Sequence, residues 1–380
     1  MTLTVAVLKE SADGERRVAL DPGSANKLAK RDIRVLLQRG AGDAAGFADH
    51  QYSGAELLDD AGQITEQADV LMWVQAPGAE TIGRLREGSL GMGLVFAHRN
   101  PDTVAALNAR SMSCLAMELV PRISRAQSMD VLSSQATVAG YKAVLRAATL
   151  APRLFPMLTT AAGTLRPARV VVFGTGVAGL QAIATARRLG ARVEAYDIRS
   201  AAREQVESLG AKMIDTGVNA EGEGGYAREL TQEEKQQQAD ALAKHLAEAD
   251  AVISTAAIPG RPAPKIITGA MVEAMQPGAV IVDLAAESGG NCELTKPGQS
   301  VRTGGVIVDG PLNLASEAAL HASEMFARNL VNLLDLMVGE DNTLNIDLED
   351  EVVAGTLLTH GGKLVHEATA KQLGQASKGD

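Results

Sequence analysis

Short aliphatic runs alternate with stretches of helical periodicity along most of this chain. Residues 3–8 (LTVAVL), 33–39 (IRVLLQR), 69–75 (DVLMWVQ) and 93–97 (GLVFA) read as strands, with helices such as 22–31 and 101–110 between them. Pro22 opens the first helix, where its missing N–H is harmless. This is a βαβ pattern, so the N-terminal region is itself an α/β domain. In 133–150 (SSQATVAGYKAVLRAATL), Val138, Tyr141, Val144, Leu145 and Ala148 fall on one side of a long helix that links two domains. Pro152 and Pro156 end it. From Arg169 onward, strands at 169–173, 192–197, 251–255, 279–283 and 305–308 alternate with helices at 177–189, 201–209 and 268–276. Residues 317–338 form a helix with Leu320, Phe326, Leu330, Val331, Leu333 and Leu334 on an apolar side, expected to pack on the N-terminal domain. Segment 215–240 has no core pattern and is long for a loop, so it reads as a lid or insertion. Its second half, 231–249, fits a solvated helix, and the polar tail at 373–380 is expected to fray.

Composition sharpens this picture. Apolar residues make up 46% of the 380 and aromatics only 3%, so the cores must be aliphatic. With 38 glycines, that suits parallel sheets whose central strands are aliphatic runs. The net charge of −10 and the lack of a basic cluster exclude a nucleic-acid partner. Cys114 and Cys292 are far apart and no C-x-x-C occurs, so neither a metal site nor a disulfide framework is expected. The N-terminus reads as a strand rather than a signal peptide, and no run of about 18 apolar residues offers a membrane span.

The chemistry concentrates in RVVVFGTGVAGLQAIATARRLGARVEAYDIR. An aliphatic run, Val170 to Phe173, leads into Gly174-Thr175-Gly176-Val177-Ala178-Gly179, then a helix, then a second strand ending in Asp197. Gly174 permits the tight turn, Gly176 a close backbone approach to a pyrophosphate, and Gly179 close helix–strand packing. The helix N-terminus offers free N–H groups to the phosphates. Asp197 lies at the spacing of a carboxylate that accepts bonds from the adenosine ribose. It would repel a 2′-phosphate, which favours NAD over NADP, although Arg199 nearby weakens that preference. The fold class expected is therefore α/β, with two Rossmann-like domains and NAD in the cleft between them. The first domain comprises 1–135 plus 319–380, and the second 136–318.

At 122–134 (RISRAQSMDVLSS) the chain becomes more specific. Together with LKE…GERRVAL (8–20), GEGGYARE (222–229), TAAIPGRPAPKIIT (255–268) and VDLAAESGGNCELT (282–295), it resembles the NAD(H)-binding alpha subunit of proton-translocating NAD(P) transhydrogenase over nearly its whole length. The absence of a membrane segment matches the version in which this domain is a separate subunit. The resemblance implies direct Si/Re-specific hydride transfer from NADH bound here to NADP⁺ on a partner subunit, with activity only in the presence of partners. A membrane-embedded subunit would couple transfer to proton movement. It also implies a homodimer attached to the cytoplasmic face of the inner membrane through its partners. Carried over by residue, Arg122, Gln127, Asp130 and Ser133 border the nicotinamide, with Ile123 and Ser124 in the same cofactor-binding stretch. Tyr226 tops a loop that closes over the nucleotide, Asp197, Ile198 and Arg199 hold the adenosine, and Gly225, Gln238 and Ala257 contact the nucleotide.

Hydride transfer between two nicotinamide rings releases no proton, so it needs alignment and water exclusion rather than an acid–base pair. An amide such as Gln127 suits that task. Asp130 is expected to orient Arg122 or Gln127, the latter three residues away on a helix start. Each of these residues also has a plainer reading. Arg122 and Asp130 could form a surface ion pair, worth about 0–1 kcal/mol. Tyr226, His98 and His245 could be ordinary exposed or capping residues, and Cys114 and Cys292 inert packing. Two rival functions remain. Alanine dehydrogenases share the LKE…RRVAL opening, and Arg17 and His98 sit where their chemistry would need them. However, Gln75 stands where that family's substrate lysine falls, and Glu287 where an aspartate is expected. A non-catalytic NAD-binding module would leave the RISRAQSMD set without a purpose.

Overall fold

The computed structural model describes residues 2–199, 202–218, 231–257 and 262–374. The chain packs as two units, Met1–Gln135 with Ser316–Asp380, and Ala136–Ala315.

The first unit holds strands β1 (Thr4–Val7), β2 (Arg34–Gln38), β3 (Glu56–Leu58), β4 (Val70–Met72), β5 (Leu90–Gly93) and β6 (Ser113–Ala116). All six are parallel, in the order β6-β5-β4-β1-β2-β3. A late strand at Leu357–His360 adds antiparallel to β6. Because side chains alternate across a strand, Val5 and Val7 enter one core and Ala6 the core on the opposite face. The expected strand at 93–97 is displaced to Leu90–Gly93. Beyond Gly93 the chain leaves the sheet: Phe96 has φ +45, and the N–H groups of Val95 and Phe96 donate to the Glu118 carboxylate instead of a neighbouring strand. The glycines of β5 make room for Trp73, since a Cβ at Gly91 would lie 2.4 Å from its ring.

Helix α1 (Ala319–Leu334) buries Phe326, Leu330, Val331, Leu333 and Leu334 in this unit, while Leu320 stays exposed. Helix α2 (Val131–Leu150) starts in the first unit and continues in the second. It buries Val138, Ala143, Val144 and Ala147, but Tyr141 is exposed, so the expected apolar side is only partly formed.

In the second unit a hairpin of β7 (Leu158–Thr160) and β8 (Gly163–Leu165) stands apart as a two-stranded sheet with every position exposed. The main sheet contains β9 (Arg169–Phe173), β10 (Arg192–Tyr196), β11 (Lys212–Met213), β12 (Ala251–Ser254), β13 (Val280–Asp283), β14 (Ser300–Thr303) and β15 (Val306–Asp309). Its order is β11-β10-β9-β12-β13-β15-β14, parallel except for β14. Val170 and Val172 face one core, Val171 and Phe173 the other. The strand order reverses at β9, between β10 and β12, which opens a crevice at the carboxyl ends of these strands. Among the described residues no helix is long and apolar enough to cross a membrane.

Candidate functional site

The glycine turn sits at the carboxyl end of β9. Gly174 has φ +84, a conformation that side chains disfavour. A Cβ on Gly179 would meet the Gly174 carbonyl oxygen at 1.9 Å, so only glycine lets helix α3 (Val177–Arg188) start so close to the strand. At Gly176 a Cβ would meet nothing within 4 Å. Gly176 is the N-cap of this helix, with no side-chain cap and no acidic residue in the first turn. Open space, free N–H groups and positive dipole coincide there, which fits a pyrophosphate. Val177, Ile198 and Ala257 are exposed around it, at the ends of β9, β10 and β12.

Behind the turn, the Thr255 hydroxyl donates to the Gly174 carbonyl at 3.1 Å and to that of Phe173 at 3.0 Å. Asn291, fully buried, brackets Ala256: its Nδ2 donates to the Ala256 carbonyl (2.7 Å) and its Oδ1 accepts from the Ala256 N–H (3.0 Å). Asn291 carries no local signal in the sequence, since its contribution depends on a fold-back of 35 residues.

Asp197 is the best-satisfied carboxylate of the site. It accepts from the Thr175 N–H (2.8 Å) and hydroxyl (2.7 Å), and from the Arg199 N–H, Nε and Nη2, each at 2.9 Å. Burial opposes its charge, but the Arg199 and Thr175 donors outweigh burial and hold its pKa at about 2. A ribose can bond to it only by displacing part of the Arg199 fork. That side chain is half exposed, so it has solvent to swing into. The paired charge also removes Arg199 as a free receptor for a 2′-phosphate.

Residues Ser124–Met129 form a 3₁₀ turn, with three residues per turn. Ala126 and Met129 point into the core and Ile123 is half-buried, while Arg122, Ser124 and Gln127 are exposed. Among the described residues, the side chains of Arg122 and Gln127 make no hydrogen bond. Asp130 does not orient either of them, contrary to the expectation. Its carboxylate accepts from the Ser133 N–H (2.9 Å) and from the Ser133 hydroxyl. Asp130 has extended backbone (φ −75, ψ 92), and a short carboxylate in that conformation caps the following helix, α2. Gln238 is half-buried on a helix, Gln232–Ala247, whose Thr231–Glu234 capping box explains its start. Gly225 and Tyr226 lie outside the described residues.

A second polar cluster lies in the first unit. Arg17, 4% exposed, pairs with Glu15 through Nε (2.8 Å) and Nη2 (2.7 Å), and donates to Gln135 (2.8 Å). Gln75 also donates to Glu15, at 2.9 Å. Burial opposes ionisation of Glu15, but the Arg17 bonds and charge prevail and hold its pKa at about 2. Nearby Glu10 accepts from the Val74 and Gln75 N–H groups, yet burial lifts its pKa to about 7. Arg17 is thus committed to structural bonds. His98 is exposed, edge-on to Phe96 at 6.5 Å. Slight burial and Arg99 hold its pKa below the ordinary histidine value. His245 is not merely solvated, since it bonds the Glu194 carboxylate at 2.9 Å. Cys114 and Cys292 are buried free thiols. No metal-binding group of His, Cys, Asp or Glu exists among the described residues.

Comparison with known proteins identifies relatives of the whole chain. Residues 6–139 match the family "Alanine dehydrogenase/PNT, N-terminal domain" and 143–367 its "C-terminal domain". An NAD(P) transhydrogenase alpha subunit of Rhodospirillum rubrum is 48% identical over 382 residues, spanning 97% of this chain and 100% of that protein. The crystal structure of a transhydrogenase from Sinorhizobium meliloti superposes with a TM-score of 0.85 at 43% identity, covering 96% of this chain and 99% of that one. An alanine dehydrogenase from Mycolicibacterium smegmatis is 29% identical over 380 residues, covering 98% of this chain and 97% of that protein, and is a more distant relative. The chain therefore belongs to the alanine dehydrogenase/PNT family, among the NAD(P) transhydrogenase alpha subunits.

Proposed function

We propose that this chain is the NAD(H)-binding subunit of a proton-translocating transhydrogenase, and that hydride passes directly from NADH held here to NADP⁺ on a partner subunit. The observation that carries the reading is exposed Gln127 on a 3₁₀ turn with exposed Arg122 just before it, in a chain that also carries a glycine turn with an uncapped helix start. The dinucleotide would lie with its pyrophosphate at Gly174–Gly179 and its adenosine at Asp197, Ile198 and Arg199, with Gln238 and Ala257 beside it. Its nicotinamide supplies the hydride. Arg122, Gln127 and Ser133 border that ring, with Ile123 and Ser124 alongside, and Asp130 serves by holding Ser133. Arg122 suits an amide or phosphate oxygen, and Gln127 suits the carboxamide. Neither moves a proton, because none is released. Alignment of two rings with water excluded supplies the rate, and positioning of this kind is worth several kcal/mol. A loop carrying Gly225 and Tyr226 closes over the nucleotide in this reading.

Proton coupling belongs to a membrane subunit, which would also hold the protein at the cytoplasmic face of the inner membrane. A homodimer is part of the proposal. Leu154, Met157, Leu158 and Leu165 expose an apolar surface around the isolated hairpin that suits a second copy. Mixing this protein with an NADP-binding partner domain should give hydride exchange between NADH and an NADP analogue, and no exchange at saturating nucleotide would refute the proposal.

A further inference from the structure

The turn that carries Gln127 is gripped by two amides of α1. Asn329 Nδ2 donates to the Ser128 carbonyl at 2.7 Å, and Asn332 Nδ2 donates to the same oxygen at 3.0 Å. Asn329 Oδ1 accepts from the Ser134 hydroxyl at 2.7 Å. One side chain thus ties the residue after Gln127 to the first turn of α2. Asn329 is 7% exposed and lies among Phe326, Leu330, Val331 and Leu333 on the buried face of its helix. An amide in that setting is unfavourable unless bonded, and both ends of this one are bonded.

The other constraints on the turn act at its ends, at the surface or without direction. Its N-cap Ile123 makes no side-chain cap, Ala126 and Met129 make apolar contacts, Arg125 pairs with Asp350 at the surface, and Asp130, just past its end, accepts from Ser133. Apolar contacts hold depth but not rotation. The start of α2 is fixed separately, by Gln135 donating to the Ala322 carbonyl (3.1 Å) and accepting from Arg17.

We infer that Asn329 is a positioning residue for hydride transfer: its bond to the Ser128 carbonyl sets the rotation of the 3₁₀ turn and so the direction in which Gln127 presents its amide. The inference rests on the reading of Gln127 as a residue that borders the nicotinamide. Asn332, the second donor to the same oxygen, supports the same rotation.

The test uses the full chain, mixed with an NADP-binding partner domain. Rates of hydride transfer and NADH affinities are measured for Gln127→Asn, Asn329→Ala, Asn332→Ala and the Gln127→Asn/Asn329→Ala double variant. Asn329→Ala should slow transfer by about 10- to 100-fold, the range expected for small misplacement of a positioned group. NADH affinity should stay within about twofold, and the double variant should be no slower than Gln127→Asn alone. Amide hydrogen exchange at 126–130 should quicken, while exchange along the rest of α1 stays unchanged. A slow Gln127→Asn variant with normal transfer in Asn329→Ala overturns this inference alone. Equal losses of rate and affinity, or additive losses in the double variant, overturn it in favour of a general structural role. Normal transfer in Gln127→Asn overturns the reading of Gln127, and the inference with it. Should Asn329→Ala fail to fold, Asn332→Ala should show a smaller slowing with unchanged affinity, and a normal rate there overturns the inference.

Discussion

Asp197→Asn removes one negative charge while keeping the size of the side chain. The wild-type carboxylate accepts five hydrogen bonds, and its pKa is held at about 2 against an ordinary 3.8. That depression corresponds to roughly 2 kcal/mol of preference for the charged form. Adenosine ribose hydroxyls donating to such a carboxylate are charge-assisted bonds, worth about 1.5–3 kcal/mol each. Asparagine keeps one acceptor and turns its other end into a donor. The variant should therefore lose about 2 kcal/mol with NADH, or roughly 30-fold in affinity. NADPH should respond the other way, because repulsion of its 2′-phosphate is gone and the Arg199 guanidinium, released from the carboxylate, can receive it. Together the two effects amount to about 4 kcal/mol, a change of roughly a thousandfold in the NADH to NADPH affinity ratio. Fluorescence titration with both nucleotides at fixed salt measures that ratio. NADH affinity within about twofold of the wild type, or an unchanged ratio, would refute the assignment of Asp197 and Arg199 to the adenosine.

Gln127→Asn should slow hydride transfer far more than it weakens NADH binding, and equal losses would make it a binding residue only. Gly179→Ala puts a methyl group 1.9 Å from the Gly174 oxygen, so helix α3 must retreat. It should lower stability by about 1–3 kcal/mol in denaturant titrations and abolish NADH binding, and near-normal binding would contradict the close packing described. Glu10, whose pKa is raised to about 7 from 4.5, contributes stability that is full below 4.5 and is lost as pH rises through 7. Glu15 has the reverse dependence, losing its contribution as pH falls from 4.5 towards 2. Unfolding curves of Glu10→Gln should therefore lose the decline between pH 4.5 and 7, and an unaltered decline would place the titrating group elsewhere. Pyruvate with ammonia should not oxidise NADH in the presence of this chain alone, since Gln75 and Arg17 are both bonded to Glu15. Measurable oxidation would favour amino-acid chemistry.

The central strands are legible in the sequence because burial on both sheet faces demands unbroken aliphatic runs, as in Val170 to Phe173. The displaced strand at 90–93 is hidden by its glycines, which read as breakers until Trp73 is seen to need their space. The exposed hairpin at 158–165 escapes notice for a related reason: with no buried face it carries no apolar alternation. At the site, the glycine turn and Asp197 are legible because local spacing alone dictates them. Asp130 misleads because helical spacing to Gln127 implies a contact, whereas Asp130 lies past the end of the turn in extended backbone and its carboxylate caps the next helix. Asn329 and Asn291 are invisible to local spacing because their partners are distant in sequence. A signal for Asn329 does exist, in a polar residue on the apolar face of an amphipathic helix.

The three-residue period of the turn at 124–129 constrains how this segment can vary through descent. In that geometry neighbouring residues differ by about 120° in direction. A single insertion or deletion would turn Gln127 by that angle relative to the buried positions of Ala126 and Met129 and move an apolar residue out of them. Substitution at the exposed positions leaves that arrangement intact, but a change in length destroys it. Among related chains the residue count between Arg122 and Asp130 should therefore be fixed as strictly as the identity of Gln127.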